Sequence, residues 1–192
     1  MAAYQTFTDA DAEFAQAQLG RPMRGVAGVA YRCPAGHPGV LATYPRLPGG
    51  PPFPTTYYLI CPNAVLAASR LEASGIMTEM TARLSRDAEL AERYRAAHEA
   101  YLADRAVLAR EIGDEVPEIA GFSAGGMPTR VKCLHALAGP RGDAQRIAFQ
   151  HPWSVNYSGH NLLTNVTGSN QNSVLTIAGK VGDDTVNTAI QA

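Results

Sequence analysis

The chain has 192 residues, 46% hydrophobic and 17% charged, with a formal net charge of -1 at pH 7. That is enough for one well-buried core, and the balance gives no reason to expect nucleic acid or an anionic membrane surface as a partner. The opening Met1-Ala2-Ala3-Tyr4-Gln5-Thr6 lacks the basic and apolar stretches of a secretory signal, and no apolar run approaches the ~20 residues that span a bilayer, so a cytoplasmic setting with reduced thiols is expected.

In chain order, Thr8-Asp9-Ala10-Asp11 has the form of a capping box opening a short helix, which Gly20 stops. Residues 26–33, 40–44 and 55–61 are β-branched and aromatic between Gly/Pro clusters, which predicts three strands. The proline-rich stretch 45–54 cannot continue a ladder, because prolines lack the donor. A helix is predicted after Pro62, which suits a first turn, with Gly75 ending it or bending it into a second helix through Arg83. The strongest helix spans 87–112: Leu90, Tyr94, Ala97, Tyr101, Leu108 and Ile112 form one apolar stripe, with Arg105 at its edge and His98 exposed beside it. Residues 115–128 read as a loop and 129–138 as a last helix carrying Cys133 and His135.

Composition changes near residue 147: 15 of the 16 basic residues precede it, while Asn156, Asn161, Asn165, Asn170, Asn172 and Asn187 follow it among Ser, Thr and Gly. The expected architecture is therefore a single α+β domain over residues 8–140, a small antiparallel three-stranded sheet packed against several helices. An atypical Asn/Thr/Gly-rich extension over 141–192 follows, disordered or weakly β-forming.

The chemistry concentrates on the cysteines. Cys33 opens Cys33-Pro34-Ala35-Gly36-His37-Pro38, Cys61 precedes Pro62, and Cys133 lies two residues before His135. Thiolates and imidazoles at element ends are the donors that zinc takes. Two residues apart on a helix point ~200° apart, so Cys133 and His135 share an ion only at a frayed helix end, and His37 competes with His135 as the fourth ligand. The bland alternative makes Cys61 and Cys133 small buried hydrophobes. A thiol nucleophile is a further alternative, with Cys61 at a helix N-terminus and His37 or His135 as base. Ser123-Ala124-Gly125-Gly126 lacks the Lys-Ser/Thr of a phosphate loop, and Arg21, Arg24, Arg32 and Arg46 read as solvated or paired with acids such as Glu72 and Glu79.

Several phrases together resemble a bacterial family known as domain of unknown function five-zero-one. They are Arg24-Gly25-Val26, Arg32-Cys33 with Gly36-His37-Pro38, Tyr44-Pro45-Arg46-Leu47, Tyr57 through Pro62, Ser69-Arg70-Leu71-Glu72, and Arg130-Val131-Lys132-Cys133-Leu134-His135, spanning about residues 8–139. Many relatives carry a second cysteine where this chain has Ala35, and they continue differently after His135. The resemblance implies a cytoplasmic protein, encoded in related bacteria near cell-division and polyphosphate genes, and no particular reaction.

The expected function is a zinc-binding domain in which Cys33, Cys61, Cys133 and His135 hold a structural ion, with His37 as substitute ligand, acting through a protein partner. The alternative is an enzyme that uses the same cluster as a metal or thiol centre on an anionic substrate. A closed four-ligand site would favour the first, and three protein ligands with an open position the second.

Overall fold

The computed structural model describes residues 4–33 and 35–137, together with the backbone of three short strands further on. Helix α1 (Asp9–Leu19) starts as its sequence predicts. The Thr8 hydroxyl caps the Asp11 N–H, the Asp11 carboxylate accepts from the Thr8 N–H, and Gly20 closes the helix at φ +68. Strands β1 (Val26–Arg32), β2 (Pro38–Thr43) and β3 (Tyr57–Leu59) form an antiparallel sheet in that order. All six residues of the central strand β2 are buried, because the sheet is covered on both faces.

One face packs Val29, Leu41 and Ile60 against Ala15 of α1. Arg32 fixes that packing by donating to both carboxylate oxygens of Asp11, at 2.6 and 2.8 Å. The other face carries Ala30, Val40, Leu59 and Cys61 into the main core with the remaining helices. Strand β3 is shorter than the stretch 55–61 suggests. The Ile60 and Cys61 N–H groups both donate to the Gly39 carbonyl, so the ladder ends there and the chain turns into a helix.

That helix, α2 (Pro62–Ala73), begins with proline at its first position, and Gly75 at φ +78 passes the chain into α3 (Ile76–Leu84). Helix α4 (Ala88–Glu111) is capped by the Asp87 carboxylate on the Leu90 N–H. The predicted stripe is its buried face from Leu90 to Leu108, while Ile112, expected to end the stripe, is the C-cap and is exposed; the buried face is also wider than the apolar residues alone. Asp104 and Arg105 are buried too. Arg105 does not sit at the stripe's edge in water: it donates to the carbonyls of Pro54 and Ile119. Asp104 accepts from the Tyr57 hydroxyl at 2.8 Å. Pro54, at the end of the proline-rich loop before β3, supplies one of the backbone acceptors of Arg105, and Ile119, far along the chain, supplies the other. His98 is half-buried rather than exposed, with Nδ1 2.8 Å from the Ser123 hydroxyl.

A 3-10 turn (Pro117–Ile119) leads into the last described helix, α5 (Leu134–Leu137). It is much shorter than the stretch 129–138 suggests. The reason is a double glycine turn: Gly125 and Gly126 sit at φ +65 and +89, and their carbonyls accept from Lys132 and Arg130. The intervening chain is held extended against α3, where the Val131 N–H donates to the Thr81 hydroxyl. Further on, backbone strands β4 (Ser154–Val155), β5 (Leu175–Val181) and β6 (Asp184–Ile190) pair antiparallel in that order. The rest of the expected extension over 141–192 lies outside the described residues. Among the described residues no helix is long and apolar enough to cross a membrane.

Candidate metal centre

Two separate cavities divide the five residues singled out in the sequence. Cys33, His37 and Cys61 line the first, about 380 Å³, at the end of the sheet beside the start of α2. Cys133 and His135 line the second, about 330 Å³, along the outer edge of β3.

In the first cavity the β1–β2 turn is closed by the Cys33 N–H on the His37 carbonyl and the Gly36 N–H on the Cys33 carbonyl. His37 lies stacked on Phe14 of α1, ring centroids 4.6 Å apart. Cys61 occupies the N-cap position of α2 and is buried. Burial pushes its thiol up, outweighing the N–H groups of Ala64 and Asn63 that favour the thiolate. A thiol held in its protonated form is a poor nucleophile, which weighs against the helix-start cysteine as a reactive centre.

The second place is built differently. Glu72, near the end of α2, meets the start of α5 and accepts from the Leu134 N–H at 2.6 Å and from His135 Nδ1 at 3.0 Å. Cys133 completes the group. One donor atom from each of Glu72, Cys133 and His135 lies within 4.8 Å of the other two. Cys133 precedes the first residue of α5 and His135 is its second, so the helical period that would splay them apart does not yet apply. Gly125 makes this position possible. A Cβ there would stand 2.7 Å from Leu137 and 3.0 Å from the Cys133 carbonyl.

The electrostatics are those of a site held by protons. Burial raises the Glu72 carboxyl, but hydrogen bonds from His135 and Leu134 and the imidazole's positive charge together bring it below its usual value. Burial lifts the Cys133 thiol, and the Glu72 charge and hydrogen bond add to the rise against N–H groups of Ala136 and His135. The other imidazole nitrogen, Nε2, is 3.2 Å from the Ser69 hydroxyl, one turn before Glu72 on α2. A hydroxyl can donate or accept, so Ser69 serves either tautomer of His135.

Glu72 escaped sequence reasoning, which treated it as a partner for arginine. The signal was present in its position on the same face of α2 as Ser69, but the opposing imidazole comes from 63 residues away. The arginines pair elsewhere: Arg32 with Asp11, and Arg46 with Asp114 and Glu118.

Residues 29–141 match the family described as Protein of unknown function (DUF501). The chain belongs to that family. Both cavities, and every residue of the Glu72–Cys133–His135 group, draw on the part of the chain that DUF501 covers. No curated protein and no solved structure matches the chain.

Proposed function

We propose that this DUF501 protein is a metal-binding domain whose ion, zinc by the chemistry of its donors, is held by Glu72, Cys133 and His135 with one position open. The observation that carries the reading is the convergence of a carboxylate, a thiol and an imidazole from two elements within 4.8 Å of one another. Sulfur, nitrogen and oxygen donors together suit a borderline-soft ion better than magnesium or calcium, which take oxygen.

Loading is a proton exchange. Nδ1 of His135 stands 3.0 Å from the Glu72 carboxylate and Nε2 3.2 Å from the Ser69 hydroxyl, so both ring nitrogens are already held in place. Glu72, Cys133 and His135 would hold the ion, with Cys133 as thiolate and the ring nitrogen not used by the metal free to hydrogen-bond. Tetrahedral ligands at zinc distances stand ~3.3 Å apart, so the 3.0 Å gap between Nδ1 and Glu72 opens by only a few tenths of an ångström.

Three protein ligands and an open position beside a cavity favour a centre that engages a small molecule over a closed structural ion. The notion of a zinc site that presents a surface to a protein partner is correspondingly less favoured. The test is zinc analysis of the full chain after chelation and reconstitution, wild type beside Cys133→Ser and Cys61→Ser. The reading requires one zinc per chain in wild type and in Cys61→Ser, and none retained by Cys133→Ser. Wild type that takes up no zinc overturns it.

A further inference from the structure

We infer that the cavity along β3 is the place of a fourth strand, and that its ligand is a short extended peptide paired through its backbone with Leu59. The inference deepens the metal reading by naming a ligand class. It rests on that reading only for what stands at the cavity's far end, at Cys133 and His135.

The order β1-β2-β3 leaves the sheet two outer edges. At the β1 edge the chain's own start closes the ladder: the Gln5 N–H donates to the Val29 carbonyl at 3.0 Å and the Val29 N–H to the Gln5 carbonyl at 2.8 Å. Among the described residues no strand covers the β3 edge. The Thr56 carbonyl accepts from Thr43, and the Ile60 N–H donates to Gly39. By the alternation of an antiparallel ladder, the N–H and C=O of Leu59 therefore point away from β2, to the outside. Leu59 is only 6% exposed, yet neither group has a hydrogen-bond partner among the described residues. A buried residue seldom leaves both backbone groups unpaired, so what enters this cavity is selected by its ability to meet them.

The walls fit the same occupant. Leu19 lines the cavity from the layer on one face of the sheet and Val65 from the layer on the other, so a ligand beside β3 meets carbon on both sides, as a covered strand does. The volume, about 330 Å³, lies at the lower end of the ~300–1,000 Å³ of ligand sites and suits a few residues rather than a long segment. A peptide backbone offers an acceptor and a donor along one edge, spaced to meet the N–H and C=O of one residue, which a hydrocarbon or aromatic ligand does not. A second copy of the chain does not fit. Its β3 lies in the same recess, and two recessed edges cannot meet.

The experiment is titration calorimetry and amide hydrogen exchange on the full chain with acetyl-Thr-Val-Val-Val-Thr-amide, capped so that no terminal charge contributes. The control is the same peptide N-methylated at every valine. The unmethylated peptide is expected to slow exchange of the Leu59 N–H. It is also expected to bind at least about tenfold tighter than the control, which lacks the donor that the Leu59 carbonyl needs. Val65→Trp is expected to fill the cavity and abolish binding with the far-UV circular dichroism unchanged. Equal binding of the two peptides, unaltered exchange at Leu59, full binding by Val65→Trp, or no binding by wild type, in which case water alone serves Leu59, overturns the inference. The two readings fail separately. Zinc uptake without peptide binding removes this one alone, while pairing at Leu59 in a chain that takes up no zinc removes only the metal site.

Discussion

The two cavities contain the same kinds of side chain and differ in what stands beside the sulfur. At Cys61 the neighbours are aromatic and aliphatic carbon, a helix start and a second thiol. At Cys133 they are a carboxylate and an imidazole that already share a proton. Both thiols are raised by burial, so the thiol's own acidity does not separate them. What separates them is the company of an anion, which a metal can neutralise and bridge. Of the two Cys/His pairs that are close in sequence, Cys33 with His37 and Cys133 with His135, only the second is grouped with a carboxylate among the described residues.

The contrast is broken most directly by substitution. Cys133→Ser or His135→Ala is expected to weaken zinc binding by more than the ~10–100-fold that loss of a supporting group costs, while Cys61→Ser and Cys33→Ser leave it unchanged. Competition against a zinc-sensitive dye measures both. Equal losses at Cys61 and Cys133 would erase the distinction between the cavities. Ser69→Ala, which removes the hydroxyl behind His135 but no ligand, is expected to fall within ~10–100-fold.

A structural variant sharpens the same point. Gly125→Ala forces a Cβ against Leu137 and the Cys133 carbonyl at a left-handed φ. It is expected to cost about 2 kcal/mol in chemical denaturation and to weaken zinc binding, because the turn it disrupts carries Cys133. Gly36→Ala also sits at positive φ, but nothing lies within 4 Å of the added carbon. It is expected to cost less and to leave zinc binding untouched.

How much of this was legible in the residues depends on how local the cause is. The capping box at Thr8, the glycine between α2 and α3, and the stripe of α4 from Leu90 to Leu108 are set by neighbours in sequence and appear as expected, whereas Ile112 at the helix end is exposed. Asp104 and Arg105 break the apolar pattern, because their partners are a strand tyrosine and carbonyls of distant loops. Helix α5 is short because a glycine turn eight residues upstream constrains the chain, a tertiary effect that no periodicity carries. Cys133 and His135 were legible as donors. Glu72 was not, since nothing along the chain marks one glutamate of α2 as facing an imidazole rather than an arginine.

Acidity offers the finer tests. Because loading requires the Cys133 proton to leave, zinc affinity is expected to fall about tenfold per pH unit as pH drops through neutrality; a flat profile would mean that the thiol is not a ligand. A smaller effect concerns the first cavity's surroundings. Asp11, beside the Arg32 guanidinium, is held well below the usual carboxylate range, its hydrogen bonds outweighing burial. A group lowered in the folded state stabilises above its unfolded value and loses that stabilisation as pH falls toward the folded one. The contribution, about 1–2 kcal/mol, is therefore expected in full at neutral pH and to decline below about pH 4. Asp11→Asn should flatten that decline in acid denaturation curves without changing zinc binding, since Asp11 anchors α1 near Cys33 and His37 and not near Glu72.

The central claim is that one sulfur, and not three, reaches the ion, and X-ray absorption of the zinc-loaded chain counts sulfur directly. A single zinc–sulfur distance at ~2.3 Å with the remaining ligands nitrogen or oxygen at ~2.0–2.2 Å is the predicted result. Two or more sulfurs in the shell would mean that Cys33 or Cys61 reaches the metal, contradicting the assignment to Glu72, Cys133 and His135.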